Sequence, residues 1–237
     1  MSRVENRLLL PPDIFSLKKA VFIQPHPDDN EIGAGGTILR LAECGCEIYG
    51  VTVTNGDLGW GDSRTRSPQL AEQRKQEALN AYRVTGMQNA GFLAFEDQTA
   101  STEEEISERI LEILEKYRPD GVFTCDPNLR DEWHSDHLKT GRAVVRALKN
   151  YSGTFQAVGY YFTDQPNVCV DVTEWQDKKM QAIRCHKSQV NDGFLELLDA
   201  YYTAHGERFG IPFAEPLRVL APHQTHCWNL PSPIRRF

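Results

Sequence analysis

Nowhere does the sequence approach the ~18 consecutive apolar residues that cross a bilayer, and the longest apolar run near its start is Leu8 to Leu10. That run is too short for the apolar region of a secretory leader, so a cytoplasmic protein with no membrane partner is expected. Positive charge is also in deficit, with 26 Lys+Arg against 33 Asp+Glu and a formal charge of −7. An acidic field repels phosphate, which argues against nucleic acid as a partner. The six cysteines, Cys44, Cys46, Cys125, Cys169, Cys185 and Cys227, contain no C-x-x-C pair. Most sit in apolar stretches and read as buried free thiols, which suits a reducing compartment. A dinucleotide fingerprint is lacking too. Gly33-Ala34-Gly35-Gly36 comes near, but Ile38 stands where the third glycine belongs, and the preceding loop is acidic where a pyrophosphate must approach. Those glycines read as letting a helix pack closely on a sheet. Ser188 lies in no nucleophile elbow, so a serine hydrolase is not supported.

What is present is ordinary globular material: 237 residues, 40% hydrophobic and 25% charged, enough for one large core. No linker, repeat or low-complexity tract appears, and one domain over residues 1–237 is expected. Ala20 to Ile23 is a short apolar run stopped by Pro25 and Pro27, the pattern of a buried strand. Apolar residues at helical spacing follow from Ile32 and stop at Gly45, then a strand runs from Ile48 to Thr54. A polar, Gly-rich loop spans Asn55 to Ser67, and Ser67-Pro68 opens a helix to about Val84. The alternation repeats with strands at Phe92 to Phe95 and Gly121 to Cys125, and helices at Ser101 to Tyr117 and Asp136 to Lys149. Strands at Val158 to Phe162 and Val168 to Val172 and one long helix from Thr173 to Val190 complete the reading. Strand-helix alternation predicts an α/β fold, a Rossmann-like doubly wound, mostly parallel sheet with helices on both faces. Such sheets carry their sites at the carboxyl ends of strands, where the winding direction reverses.

Two polar clusters stand at such ends. Pro25-His26-Pro27-Asp28-Asp29 follows the first strand, and Asp126 to His137, ending in His134-Ser135-Asp136-His137, follows the strand that closes at Cys125. Either alone could be a solvated loop; both together point to a site. His26 and Asp29 stand three residues apart across a stiff Pro27, and His134 and His137 repeat the spacing on one side of a helix's first turn. A catalytic zinc takes three protein ligands and keeps one position for water, so a His/Asp/His set suffices and leaves Asp28 and His134 for acid-base work. Iron, cobalt or manganese would also suit such donors.

The ordered string His26-Pro27-Asp28-Asp29, Gly33-x-Gly35-Gly36, Arg74-x-x-Glu77, His134-x-Asp136-His137 and His186-x-Ser188-Gln189 resembles the LmbE-like or PIG-L family of zinc-dependent N-acetylglucosaminyl deacetylases over about residues 18 to 227. Tyr117 to Phe123, Pro166-Asn167-x-x-Val170-Asp171 and Arg218-Val219 are most similar to its diacetylchitobiose deacetylase branch. The resemblance implies a Zn2+ ion on His26, Asp29 and His137, Asp28 as general base, and His134 as oxyanion stabiliser and possible acid. Asp136 would orient a histidine. Arg74, Asp57, Trp60 and His226 become substrate-binding candidates, His226 reaching a neighbouring subunit's site. Asn30, Ser135 and Glu132 depart from the family, which usually has Glu, Pro and, in some members, Tyr at those places. The implied protein is a homo-oligomer, hexamers included, with a core at about 18–190 and an extension at 191–237 that serves the site or a subunit interface. The implied reaction is metal-dependent removal of an N-acetyl group from N-acetylglucosamine or diacetylchitobiose-type substrates. A bacillithiol-type precursor and a noncatalytic metal- or sugar-binding module are the alternatives.

Overall fold

Alternation of side chains on fully buried strands builds the centre of the molecule. In β1 (Lys19–Gln24), Phe22 packs into a cluster with Ile38, Leu41 and Tyr82, while its neighbours Val21 and Ile23 pack into another with Ile106, Ile110 and Val144. A strand apolar on both faces belongs inside a parallel sheet covered on both sides. Across the sheet Phe22 stacks on Phe123 with ring centroids 4.4 Å apart, each burial contributing about 1.5–3 kcal/mol. The computed structural model describes residues 10–59 and 65–225, with the backbone of residues 235–236.

After β1 come α1 (Asp29–Glu43), β2 (Glu47–Thr54), α2 (Pro68–Thr85), β3 (Gln88–Phe95), α3 (Glu103–Tyr117), β4 (Gly121–Cys125), α4 (Ser135–Asn150) and β5 (Ala157–Tyr161). β6 (Val168–Asp171), α5 (Gln176–Ile183), α6 (Asp192–Glu207), β7 (Ala214–Leu220) and β8 (Arg235–Arg236) follow. The described strands form one sheet in the order β3-β2-β1-β4-β5-β7-β6-β8. From β3 to β5 all pairings are parallel, and β7 runs antiparallel to both β5 and β6. The winding therefore reverses between β1 and β4, and both polar clusters leave the sheet there. Local signals set the helix starts: the Ser67 side chain accepts from the Leu70 N–H, and Thr102 forms a reciprocal capping box with Glu105.

Three features differ from the expectation. The helix expected over Thr173 to Val190 breaks into a 3-10 turn, α5 and a non-helical stretch that carries His186 and Ser188. No Gly or Pro marks that break. His186 is drawn into the core against Glu31 at 3.4 Å, and the Ser188 hydroxyl donates to Glu77 at 2.6 Å. Secondly, α6 and β7 escape the periodicity reading. Pro216 sits in the half of β7 that pairs with β6 alone, which is how a strand between two neighbours accommodates a residue without N–H. Thirdly, Cys44 is exposed and Cys185 half-buried, whereas Cys46, Cys125 and Cys169 are buried free thiols.

The glycines of α1 do serve packing. A Cβ on Gly33 would strike the Tyr161 ring, and one on Gly36 would lie 2.5 Å from Val172. Helical geometry lapses at Ala34 and resumes where Gly36 and Thr37 donate their N–H groups to Glu215, each at 2.7 Å. Glu215 is in turn paired with the fully buried Lys179 at 2.6 Å. One carboxylate on β7 thus ties α1 to α5. Among the described residues no helix is long and apolar enough to cross a membrane.

Candidate active site

The β1 loop is closed by one of its own acids. Asp29, the first residue of α1, accepts the His26 N–H at 2.8 Å on Oδ2, and the same oxygen lies 3.2 Å from His26 Nδ1. Its Oδ1 lies 3.4 Å from His137 Nε2, so one carboxylate bridges the imidazoles of two distant loops. Asp28, next in sequence, points elsewhere. It occupies the cap position of α1 without making a cap hydrogen bond, and its Oδ2 instead accepts from Arg74 Nη2 at 3.2 Å.

The β4 loop reaches the same point through three acids. Asp126 accepts the Asn128 N–H at 2.9 Å and the Thr163 hydroxyl at 2.6 Å, folding the chain back toward α4. Glu132 accepts the His134 N–H at 2.7 Å on Oε1 and faces His137 Nδ1 at 3.0 Å with Oε2. Asp136 lies 3.3 Å from His26 Nε2 and accepts the Gln98 N–H at 2.6 Å. Beneath them the Cys125 thiol donates to the His137 carbonyl at 2.9 Å. Each metal-candidate histidine therefore has a carboxylate on either side of its ring, which fixes ring orientation.

Such an arrangement favours positive charge. Burial works against a charged His26, yet hydrogen bonds to Asp136 and Asp29 outweigh it and raise its pKa to about 9. Burial likewise opposes a charged His137, but Asp29 and Glu132 raise it to about 10. Asp29 itself is held well below the carboxylate range by the two imidazoles, against its burial. His134 goes the other way: burial first, then His26 and His137, push it below the ordinary value. Nitrogen atoms of His26, His134 and His137 also lie within 4.8 Å of one another. Imidazole and carboxylate donors gathered in a field that attracts cations fit a divalent ion of the zinc type. Asp136 Oδ1 adds a buried acceptor without a partner among the described residues.

Comparison with known proteins shows the family. Residues 21–148 match the model of the PIG-L family, GlcNAc-PI de-N-acetylase. A diacetylchitobiose deacetylase of Thermococcus kodakarensis is 31% identical over 223 residues, covering 86% of this chain and 84% of that one. The chain belongs to the PIG-L family. A probable N-acetyl-α-D-glucosaminyl L-malate deacetylase 2 of Bacillus cereus is 28% identical over 73% of this chain and 84% of its own length. Among solved structures, the N,N′-diacetylchitobiose deacetylase of Pyrococcus horikoshii with its inhibitor MPG superposes with a TM-score of 0.82. It shares 30% identity and covers 95% of this chain and 96% of its own. The family is metal-dependent, and this PIG-L member brings ligand atoms of His26, Asp97 and Asp136, as well as those of His26, His134 and His137, within 4.8 Å of one another.

Around that group lies a cavity of about 230 Å³ bordered by His26, Asp28, Asp29, Arg74, His134 and His137. Arg74 enters it from α2, also donating to the Gly56 carbonyl at 3.2 Å, and its Nε is buried without a partner among the described residues. Gly56 has φ +73°, and a Cβ there would lie 2.8 Å from the guanidinium. Arg74 and Glu77 are both buried, and Glu77 holds Ser188. Asp57 is not brought to the cavity: its carboxylate takes Arg66 at 2.8 Å and the Asp97 N–H at 3.1 Å, which braces the loop. Trp60 and His226 lie outside the described residues.

Sequence reasoning gave no role to four contributors. Asp97, Gln189 and Phe194 line the cavity, and Glu132 supports His137. Asp97 follows β3 at its carboxyl end, where the rule used for the other clusters would have found it. Gln189 and Phe194 arrive only because the chain breaks after α5, which no local signal marks. Asn30 donates its N–H to Gln24 at 2.8 Å and accepts from the Tyr161 hydroxyl at 3.1 Å, entirely within the core.

Proposed function

We propose that this chain is a zinc-dependent amidohydrolase that removes the N-acetyl group from N-acetylglucosamine or diacetylchitobiose-type substrates, releasing acetate and an amino sugar. The reading is carried by the division of labour between two adjacent carboxylates. Asp29 sits between His26 and His137, while Asp28 borders the same cavity but is turned to Arg74. His26, Asp29 and His137 would hold the ion, which when bound lowers the pKa of water from ~15.7 toward ~7 and polarises the amide carbonyl.

Asp28 accepts the proton of the attacking water and returns it to the departing amine, with Arg74 fixing the carboxylate in place. His134, which borders the cavity beside His26 and His137, donates an N–H to the amide oxygen as negative charge develops there. Asp136 and Glu132 keep His26 and His137 oriented. Arg74 and Gln189 supply polar groups for sugar hydroxyls, while the Asp97 carboxylate is taken by Thr54, Gly56 and Leu58 and shapes the wall. The similarity to the Bacillus malate deacetylase supports a second substrate, an N-acetylglucosaminyl malate, through the same steps. On this reading one catalytic domain, with the segment after residue 190 contributing Phe194 to the cavity wall, works as a cytoplasmic homo-oligomer; the resemblance to the diacetylchitobiose deacetylases supports the assembly.

Zinc-loaded protein incubated with N-acetylglucosamine, diacetylchitobiose and N-acetylglucosaminyl malate should release free amine and acetate in equal amounts from at least one of them. Release from none refutes the reading.

A further inference from the structure

A second cavity, of about 540 Å³, meets the catalytic one at Asp29, Ile32, His137 and Phe194, which border both. Its remaining wall is mostly apolar: Leu129, Phe162, Leu197, Leu198, Tyr201 and Tyr202. The polar side chains there are already engaged, Glu132 with His137, Thr163 with Asp126, Asp164 with Arg130, and the Tyr202 hydroxyl with the Ile32 carbonyl. The Tyr201 hydroxyl apart, this wall has little to offer a sugar.

The proton carriers face the other cavity. Asp28 and His134 border the smaller, polar space and are absent from the larger one. An amide extends two arms from its carbonyl carbon. The amine arm must lie toward the group that returns its proton, so with the carbonyl held at Asp29 and His137 the acyl arm is directed into the apolar cavity. On the strength of the deacetylase reading, we propose that this cavity is an acyl lobe and that the enzyme hydrolyses N-acyl sugars with chains of butyryl to hexanoyl length as well as acetyl. The chemistry is unchanged. The C–N bond breaks, a C–O bond forms to the water oxygen, and the water proton passes through Asp28 to the amine, giving a carboxylate and an amino sugar.

The test is kcat/KM of the zinc-loaded full chain on N-acetyl-, N-butyryl- and N-hexanoylglucosamine. Each buried methylene is worth at most about fourfold, and a rise of at least about tenfold across the series, mostly in KM, is expected. Leu197 is 63% exposed, so Leu197→Asp is compatible with folding and should bring the hexanoyl-to-acetyl ratio to about one. A flat or falling series, as a second copy of the chain seated over Leu197 and Tyr201 would produce, overturns the proposal while cleavage of the acetyl compound leaves the deacetylase reading intact. Absence of cleavage throughout defeats that reading instead, and calorimetry then decides the lobe. Hexanoate binding at least about tenfold tighter than acetate supports it, and equal affinities overturn it.

Discussion

The parallel half of the sheet and the part built by β6, β7, α5 and α6 do different work at one site. From the first half come His26, Asp28, Asp29, His134 and His137, the groups that would hold an ion and move protons, with Arg74 braced against Asp28. From the second come Gln189, Phe194, Leu197 and Tyr201, which wall the spaces on either side. On the proposed reading the chemistry falls to groups at strand ends, and part of the selectivity falls to residues positioned by long-range contacts. The split teaches that substitutions should sort by half: those in the first change turnover, and those in the second change which substrate fits or whether the fold holds.

The comparison breaks most decisively at the ligands. His137→Ala should lose the bound metal by elemental analysis after gel filtration and abolish amine release; a variant that keeps one equivalent of ion shows that the two loops do not share it. Next comes Asp28→Ala, which should retain the metal and lose about 10²–10⁴-fold in kcat. Near-normal turnover in that variant would remove the base assignment. His134→Ala should cost about 10²–10³-fold in kcat with KM little changed, as loss of an oxyanion donor does, and a loss confined to KM would make it a binding residue instead.

In the second half the expected effects move from rate to stability and binding. Lys179→Met strands the Glu215 carboxylate in the core and should destabilise by about 3–5 kcal/mol in urea unfolding, the range for breaking a buried pair. Little change in the urea midpoint would mean that the donors of Gly36 and Thr37 suffice for Glu215 without Lys179. The smallest effect is expected from Gln189→Ala, a rise in KM of several-fold with kcat nearly constant, as loss of a single uncharged hydrogen bond predicts. Steady-state kinetics giving the reverse pattern would move Gln189 into the chemical step.

The same division explains what could be read in advance. Gly121 to Cys125 is continuous, apolar and bounded by turns, so its strand appears in the structure with those bounds. His26 and Asp29 are legible because their three-residue spacing is local, and the reversal rule says that the loop after β4 must lie beside them. Asp97 obeyed that rule and was overlooked because the Glu96-Asp97 pair has no histidine beside it to make a ligand pattern. The break after Ile183 was illegible for a different reason. Residues 173–190 have helical periodicity and no stop signal, and contacts with Glu31 and Glu77, more than a hundred residues earlier in the chain, decide where the helix ends. α6 and β7 share that dependence. Arg74 lies between the cases: its neighbour Glu77 at three-residue spacing suggests a surface ion pair, whereas the fold buries both and gives each a different partner.

Glu215 also sets an order of events during synthesis. The N–H groups of Gly36 and Thr37 wait for an acceptor that is translated 178 or more residues later. A nascent chain that has emerged only as far as residue 148, where the family match ends, already contains both loops proposed to hold the ion but not the strand that completes the helix beginning at Asp29. The helix that begins with Asp29 is therefore completed only once β7 is in place, and a fragment cut at that boundary should not behave as an independently folding unit.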